Sequence, residues 1–390
     1  MISFGCDVLL ERAGTLRRRR FALLAHAASI TSDRRPLHLA LRDSEAGAPH
    51  RLFGPEHGYY AVEQDMIPSE DERDPLTGSP IASLYGDSVA SLRPAPEAFD
   101  GLDLLLIDLQ DAGSRYYTYA ATAVWAAEAA TAAGVEVWVL DRPNPLGGDV
   151  IEGNLLEEGF HSFVGAFRMP VRHGLTLGEL VLLEARRRGF PRMPRVLTMR
   201  GWQRNMLWDD TGLPWIAPSP NLPTPTTAVL YPGGCLIEAT ELSEGRGTTR
   251  PFQLIGAPGL DAGALSEALN ARRLPGLSFL PTFFRPQFQK HAGQVCAGVE
   301  LVVHDPQAVR GFRAGVEILN VFYHLGGERF AWREAPYEFV SDRPAIDLLA
   351  GCSALRRHLE AGSDPLAWCQ TWAGDEAAFA EERQEVLLYG

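Results

Sequence analysis

Hydrophobic residues in the first half of the chain come in short solid runs set between stretches of helical pattern. Phe21-Ala22-Leu23-Leu24-Ala25 is apolar throughout, as a strand covered on both faces must be. Residues 102–107 and 135–140 repeat the pattern, and Leu52-Phe53 and residues 196–199 supply two shorter runs. An alanine-rich segment, 119–133, favours helix and ends at Gly134, a residue suited to a C-cap. Strand, helix and strand in that order make a βαβ unit, hence a parallel sheet with a right-handed crossover. Residues 176–188 predict a further helix, opened by Thr176 and Glu179 at the spacing of a capping box.

Beyond Trp215 the texture changes. Pro218, Pro220, Pro223, Pro225 and Pro232 interrupt any regular element, so residues 215–234 read as ordered loop or a crossing between domains. A helix at 261–271, a strand at 298–303, a helix at 309–323 and helical segments to the C-terminus follow, an α+β pattern. The reading is α/β overall. A parallel-sheet domain occupies residues 1–215 and a smaller α+β domain, closing a cleft, occupies 216–390. A chain of 390 residues is too long for one compact core, which agrees.

Charge narrows the partners. Acids outnumber bases 49 to 36, a net −13, which argues against nucleic acid. Five cysteines are odd in number and lack metal spacing, so free thiols in a reducing compartment are expected. The first residues show no basic stretch leading into an apolar one, and no apolar run reaches membrane-span length. The expectation is a cytoplasmic protein, exported only if a signal has been removed, with no membrane insertion. No dinucleotide fingerprint, Walker loop, zinc motif or nucleophile elbow is present, so no cofactor and no metal are called for.

Candidate chemistry gathers at strand ends. In Gly54-Pro55-Glu56-His57-Gly58 two glycines and a proline stiffen a turn that carries an acid and a histidine. Asp108 ends one predicted strand and Asp141 follows another. In a parallel sheet Glu56, Asp108 and Asp141 share one rim, where α/β active sites sit, although a strand-end acid can equally cap the next helix. Gln110, Arg115, Tyr116, Tyr117, Tyr119, Arg142 and Asn144 supply amides, guanidinium forks and rings suited to a polar, ring-shaped ligand. His173 precedes the capping box, which by itself accounts for Glu179. Arg246 stands between two glycines, near Glu244, where it could grip a carboxylate.

Six segments then recur in a recognisable order. They are residues 53–58, 108–119, 140–145, 173–179, Pro218-Ser219-Pro220-Asn221-Leu222-Pro223-Thr224, and Ser243-Glu244-Gly245-Arg246-Gly247-Thr248. Together they resemble the exo-β-N-acetylmuramidase family of the NamZ type, from about residue 5 to the C-terminus. The resemblance implies a Rossmann-like N-terminal half, a smaller C-terminal half and a site in the cleft between them. It implies removal of terminal N-acetylmuramic acid from the non-reducing end of peptidoglycan fragments, as in cell-wall recycling. Carried over, Glu56 is the catalytic glutamate, and the remaining motifs, Asn221 included, line the cleft. His26-Ala27-Ala28-Ser29 departs from the asparagine-containing turn of many members.

On this reading Glu56 protonates the leaving oxygen, which requires its pKa to be raised. Asp108, Asp141, Glu179 and Glu244 are open candidates for the second group, as is the sugar's own acetamido group. Arg246, Arg115 and Arg142 are candidates for the lactyl carboxylate of muramic acid. His57, Gln110, Tyr117, Asn144 and His173 complete the expected substrate contacts. Three alternatives stand beside this one. They are a hydrolase of another acidic amino sugar, a non-catalytic binder of cell-wall sugars, and a metal-dependent hydrolase using Asp108, Asp141 and His57.

Overall fold

A computed structural model describes residues 2–64, 67 and 72–390. Its first half is built on β1 (Phe21–Ala25), β2 (Arg51–Gly54), β3 (Glu72–Arg73), β4 (Pro80–Ser83), β5 (Leu104–Asp108), β6 (Glu136–Leu140) and β7 (Arg195–Leu197). They lie in the order β3-β4-β2-β1-β5-β6-β7, and every adjacent pair but β3 with β4 is parallel. Among the parallel strands the order reverses between β1 and β5, which is the Rossmann-like arrangement. Connections leaving these two strands part to opposite sides, so a crevice opens at their carboxyl ends.

The fully buried sequence of β1 follows from this central place. Its Phe21, Leu23 and Ala25 face α1 (Gly5–Leu10) and α2 (Leu37–Arg42). Its Ala22 and Leu24 face α3 (Tyr119–Ala132) and α4 (Leu177–Arg188). Small alanines let α3 be buried nearly all round, which is where a helix with no polar stripe belongs. The α4 capping box forms as expected, and Gly189 closes the helix with φ 64° after three arginines in its last turn.

In the second half, β8 (Leu254–Ala257), β9 (Leu277–Phe284) and β10 (Cys296–Val303) form an antiparallel sheet in the order β8-β10-β9. Its helices are α5 (Pro225–Gly234), α6 (Ala262–Ala271), α7 (Gly311–Gly326), α8 (Ala345–Ala350), α9 (Ala354–Glu360) and α10 (Leu366–Glu382). Helix α5 corrects the expectation that prolines keep residues 215–234 irregular. Pro225 occupies the first helical position, where its missing N–H is harmless, and the Thr224 hydroxyl accepts from the Thr227 N–H. A Cβ on Gly233 would lie 2.0 Å from the Gly311 carbonyl oxygen, so the backbones of α5 and α7 meet directly.

One continuous core joins β1 and β5 to Ile255, Phe279, Phe312 and Trp372 of the second half. The C-terminus also returns to the first half. The Leu388 N–H donates to Glu179 and the Tyr389 hydroxyl to Asp141. All five cysteines are free thiols. Among the described residues, no helix is long and apolar enough to cross a membrane.

Candidate active site

Strand β2 delivers the chain into the turn that carries Glu56. A Cβ on Gly54 would sit 2.7 Å from the Tyr59 nitrogen, so the turn folds back tightly over it. His57 takes φ +70°, a left-handed conformation costly for a residue with a Cβ, and its Nδ1 lies 3.0 Å from the Glu63 carbonyl. Glu56 is only 5% exposed. Its Oε2 accepts from the Thr118 hydroxyl at 2.7 Å, and its backbone carbonyl accepts from the Tyr119 hydroxyl at 3.2 Å. Thr118 is the residue just before α3, so the carboxyl group lies at a helix N-terminus.

A second contact network seats the crossing segment. The Tyr119 hydroxyl lies 2.9 Å from the Pro218 carbonyl. His26 Nδ1 lies 3.2 Å from the same oxygen, while His26 Nε2 accepts from the Gln110 N–H at 3.0 Å. The acceptor role fixes the neutral tautomer with its proton on Nδ1. Burial, reinforced by Arg142, drives the His26 pKa down to about 3. His26 therefore ties the end of β1 to the Pro218 loop.

Across a narrow cleft, Glu56, His57, Tyr117 and Asn221 share the lining with Arg246 and with the rings of Tyr231, Phe252 and Tyr337. Arg246 donates to Glu238 at 2.7 Å, lies 3.4 Å from Glu244 and sits over the Phe252 ring at 5.4 Å. Glu244, just behind it, also accepts from Lys290 at 2.9 Å. The Asn221 amide donates to Gln64.

The other expected site residues are held elsewhere. Asp108 and Arg142 form a fully buried two-point ion pair, 2.7 and 2.8 Å. Burial, the largest influence, lowers the Arg142 pKa, but the charge and hydrogen bond of Asp108 together with Cys6 and Asp7 raise it overall. Asp141 accepts from the Thr176 hydroxyl, the Gly178 N–H at the start of α4 and the Tyr389 hydroxyl. Burial pushes its pKa up to about 6 against those bonds. Glu179 completes the capping box and is gripped by Arg204 at 2.7 and 3.1 Å. Asp108 and Asp141 do share the sheet's carboxyl edge with Glu56, but one is an ion-pair partner and the other a helix cap.

Arg115 spends its guanidinium on four carbonyls, those of Asn154, Met169, Leu349 and Ala350, and so pins the two halves together. Gln110 bonds the Asp111 and Pro143 carbonyls. Asn144 bridges Leu146 and Leu175, and His173 accepts from the Leu175 N–H. None of these residues, nor Glu244, is among the cleft lining. Among the described residues no group of three His, Cys, Asp or Glu side chains is arranged to hold a metal.

Sequence reasoning did not single out Glu238, Glu338, Tyr231, Phe252 or Tyr337. Glu238 carried a signal, an acid inside the apolar run Leu236-Ile237-Glu238-Ala239, which a core tolerates only with partners. Glu338 carried none, because its place depends on a turn that only the assembled fold brings to the cleft.

The sequence profile for the N-terminal part of exo-beta-N-acetylmuramidase NamZ matches residues 21–226, and that for the C-terminal part matches residues 229–389. Over 389 residues the chain is 37% identical to the peptidoglycan beta-N-acetylmuramidase NamZ of Bacillus subtilis (strain 168), covering 100% of this chain and 91% of that protein. Crystal structures of two DUF1343 family proteins from Bacteroides fragilis superpose with TM-scores of 0.88 and 0.77, at 31% and 28% identity. Each match covers 100% of this chain and 99% of the other. With both halves matched end to end, and the cleft lying where they meet, the chain belongs to the exo-β-N-acetylmuramidase NamZ family.

Proposed function

We propose that this chain is a glycosidase that releases terminal N-acetylmuramic acid from the non-reducing end of peptidoglycan fragments such as MurNAc-GlcNAc, with Glu56 as general acid. The observation that carries the reading is the position of Glu56. It is a buried carboxyl group on a tight turn, in the cleft between the two family halves, sharing the lining with a guanidinium and aromatic rings. Rings suit the apolar faces of a pyranose, and a guanidinium suits the lactyl carboxylate that distinguishes muramic acid from glucosamine.

Chemically, the Glu56 proton passes to the glycosidic oxygen as the bond to the anomeric carbon breaks, and the electron pair stays on that oxygen. Water then adds to the anomeric carbon and returns a proton to Glu56. Thr118 and Tyr119 hold the carboxyl group and its backbone in place, so positioning is settled before the sugar arrives.

Incubation with MurNAc-GlcNAc followed by mass analysis tests the activity, with free MurNAc and GlcNAc expected. Disaccharide left intact after prolonged incubation would point instead to a sugar-binding protein. Glu56→Gln should lower kcat by about 10²–10⁴-fold with an unchanged melting temperature. A variant of near-full rate on the disaccharide would remove Glu56 from the role.

A further inference from the structure

We propose that Glu238 is the second catalytic carboxylate, the fixed negative charge that meets the anomeric carbon while Glu56 protonates the leaving oxygen. The inference rests on the glycosidase reading above and names a group from the opposite half. Glu56 comes from the β2 turn and Glu238 from the turn at Cys235–Ala239, and both line the one cleft. A sugar bound between the halves meets a carboxyl group from each side.

The two groups differ in what holds them. Glu238 accepts from the Arg246 guanidinium at 2.7 Å and from the Tyr337 hydroxyl at 2.7 Å, with the Cys235 thiol at 3.6 Å. The guanidinium and the phenol thus hold both carboxylate oxygens in place. The other donors keep their protons. Burial, followed by the Glu238 charge, pushes the Tyr337 hydroxyl well above its ordinary pKa, and the Cys235 thiol rises for the same two reasons in the same order. Glu56, from the other half, accepts from the Thr118 hydroxyl.

Glu238 is also built into the backbone more firmly than a binding contact requires. The Lys290 ammonium donates to the carbonyls of Ile237, Glu238 and Leu242 and to the Glu244 carboxylate, closing the segment around one cation. The Arg333 N–H donates to Ala239 and the Glu241 N–H to Ala331, fastening the same turn to the strip that leads to Tyr337. Glu338, the other acid in the lining, stands on a turn with φ +44° and accepts from Tyr85 at 3.3 Å. A preorganised charge stabilises a transition state because nothing must reorient as charge develops, and Glu238 meets that condition. As the glycosidic bond lengthens, its electron pair leaves with the oxygen that Glu56 protonates. Positive charge grows on the anomeric carbon and ring oxygen, opposite Glu238, until water adds.

The test uses the full chain, MurNAc-GlcNAc, and an aryl muramide whose leaving group departs without a proton. Glu238→Gln should lose about 10²–10³-fold in kcat on both substrates, since the charge is needed whatever leaves. Glu56→Gln should lose rate on the disaccharide and far less on the aryl glycoside. In Glu238→Ala, added formate should restore part of the lost rate by standing in for the missing carboxylate, a response that a structural role would not produce. Thermal melts of both Glu238 variants show whether the fold survives. The proposal is overturned by a Glu238→Gln kcat within about threefold of wild type, by a rise confined to KM, or by a loss confined to the disaccharide. If Glu56→Gln keeps full rate while Glu238→Gln does not, the acid assignment fails and this one stands.

Discussion

Replacing His26 with glutamine should change how the stability of the protein responds to acid, and the size of that change follows from the geometry. His26 is buried and neutral, donating to Pro218 and accepting from Gln110, with its pKa driven from 6.5 to about 3. The unfolded chain takes up a proton below about pH 6.5 while the native state does not, so acid favours unfolding. The stability tied to His26 is complete above its unfolded pKa and falls as pH drops towards its folded one. At about 1.4 kcal/mol per unit, the loss from pH 6.5 to pH 4 is about 3 kcal/mol. Asp141 works the other way, because its pKa rises from 3.8 to about 6, so stability gained from its protonation partly masks the histidine in the wild type. The difference between wild type and His26→Gln removes that interference. Glutamine does not titrate, and it loses the Pro218 contact, so at neutral pH the variant should be about 1–3 kcal/mol less stable. Urea unfolding followed by tryptophan fluorescence, from about pH 7.5 down to about pH 4, should show the stability difference moving by about 3 kcal/mol in the variant's favour, enough to close or reverse it. Parallel stability curves would refute the reasoning, since they would mean that His26 has the same proton affinity folded and unfolded.

Three further outcomes are expected. Arg246→Lys should lower kcat/KM for MurNAc-GlcNAc by about tenfold or more, because lysine keeps the charge but not the planar fork that holds Glu238; steady-state kinetics decide it. Arg142→Met should destabilise the protein by about 3–5 kcal/mol by stranding Asp108 as a buried charge, and Arg142→Met with Asp108→Leu should recover much of that in denaturant titrations. Tyr389→Phe removes the 2.6 Å bond to Asp141 and should cost about 1.5–3 kcal/mol, visible as a lower urea midpoint without a change in kcat.

Much of the first half was legible because burial on both faces leaves a solid apolar run in the sequence. Residues 21–25 appear as β1 without adjustment, and 102–107 and 135–140 as β5 and β6 with ends shifted by a residue or two. The capping box at Thr176 and Glu179 was equally plain, since a helix start is encoded within four residues. Residues 215–224 are irregular, as their prolines suggest, whereas 225–234 are helical: Pro225 takes the first helical position, where it is favoured, and Pro232 is carried within the helix.

Glu56 was visible for a local reason, an acid on a stiff turn after a strand. Asp108, Asp141 and Glu179 stood among the candidates for the second group, and the chain by itself had no means of ranking them. What separates them is which way each side chain turns and what it meets there, an Arg142 fork, a helix start or an Arg204 clamp. Those partners lie 34, 37 and 25 residues away. Glu238 comes from beyond the crossing and meets its Tyr337 donor 99 residues further on. The sequence alone determined the parallel sheet, the order of its elements and the turn that presents Glu56, because each depends on neighbours within a few positions. Tertiary structure decided which acids reach the cleft, because a carboxylate's role depends on its charge partners, and the fold brings those from distant parts of the chain.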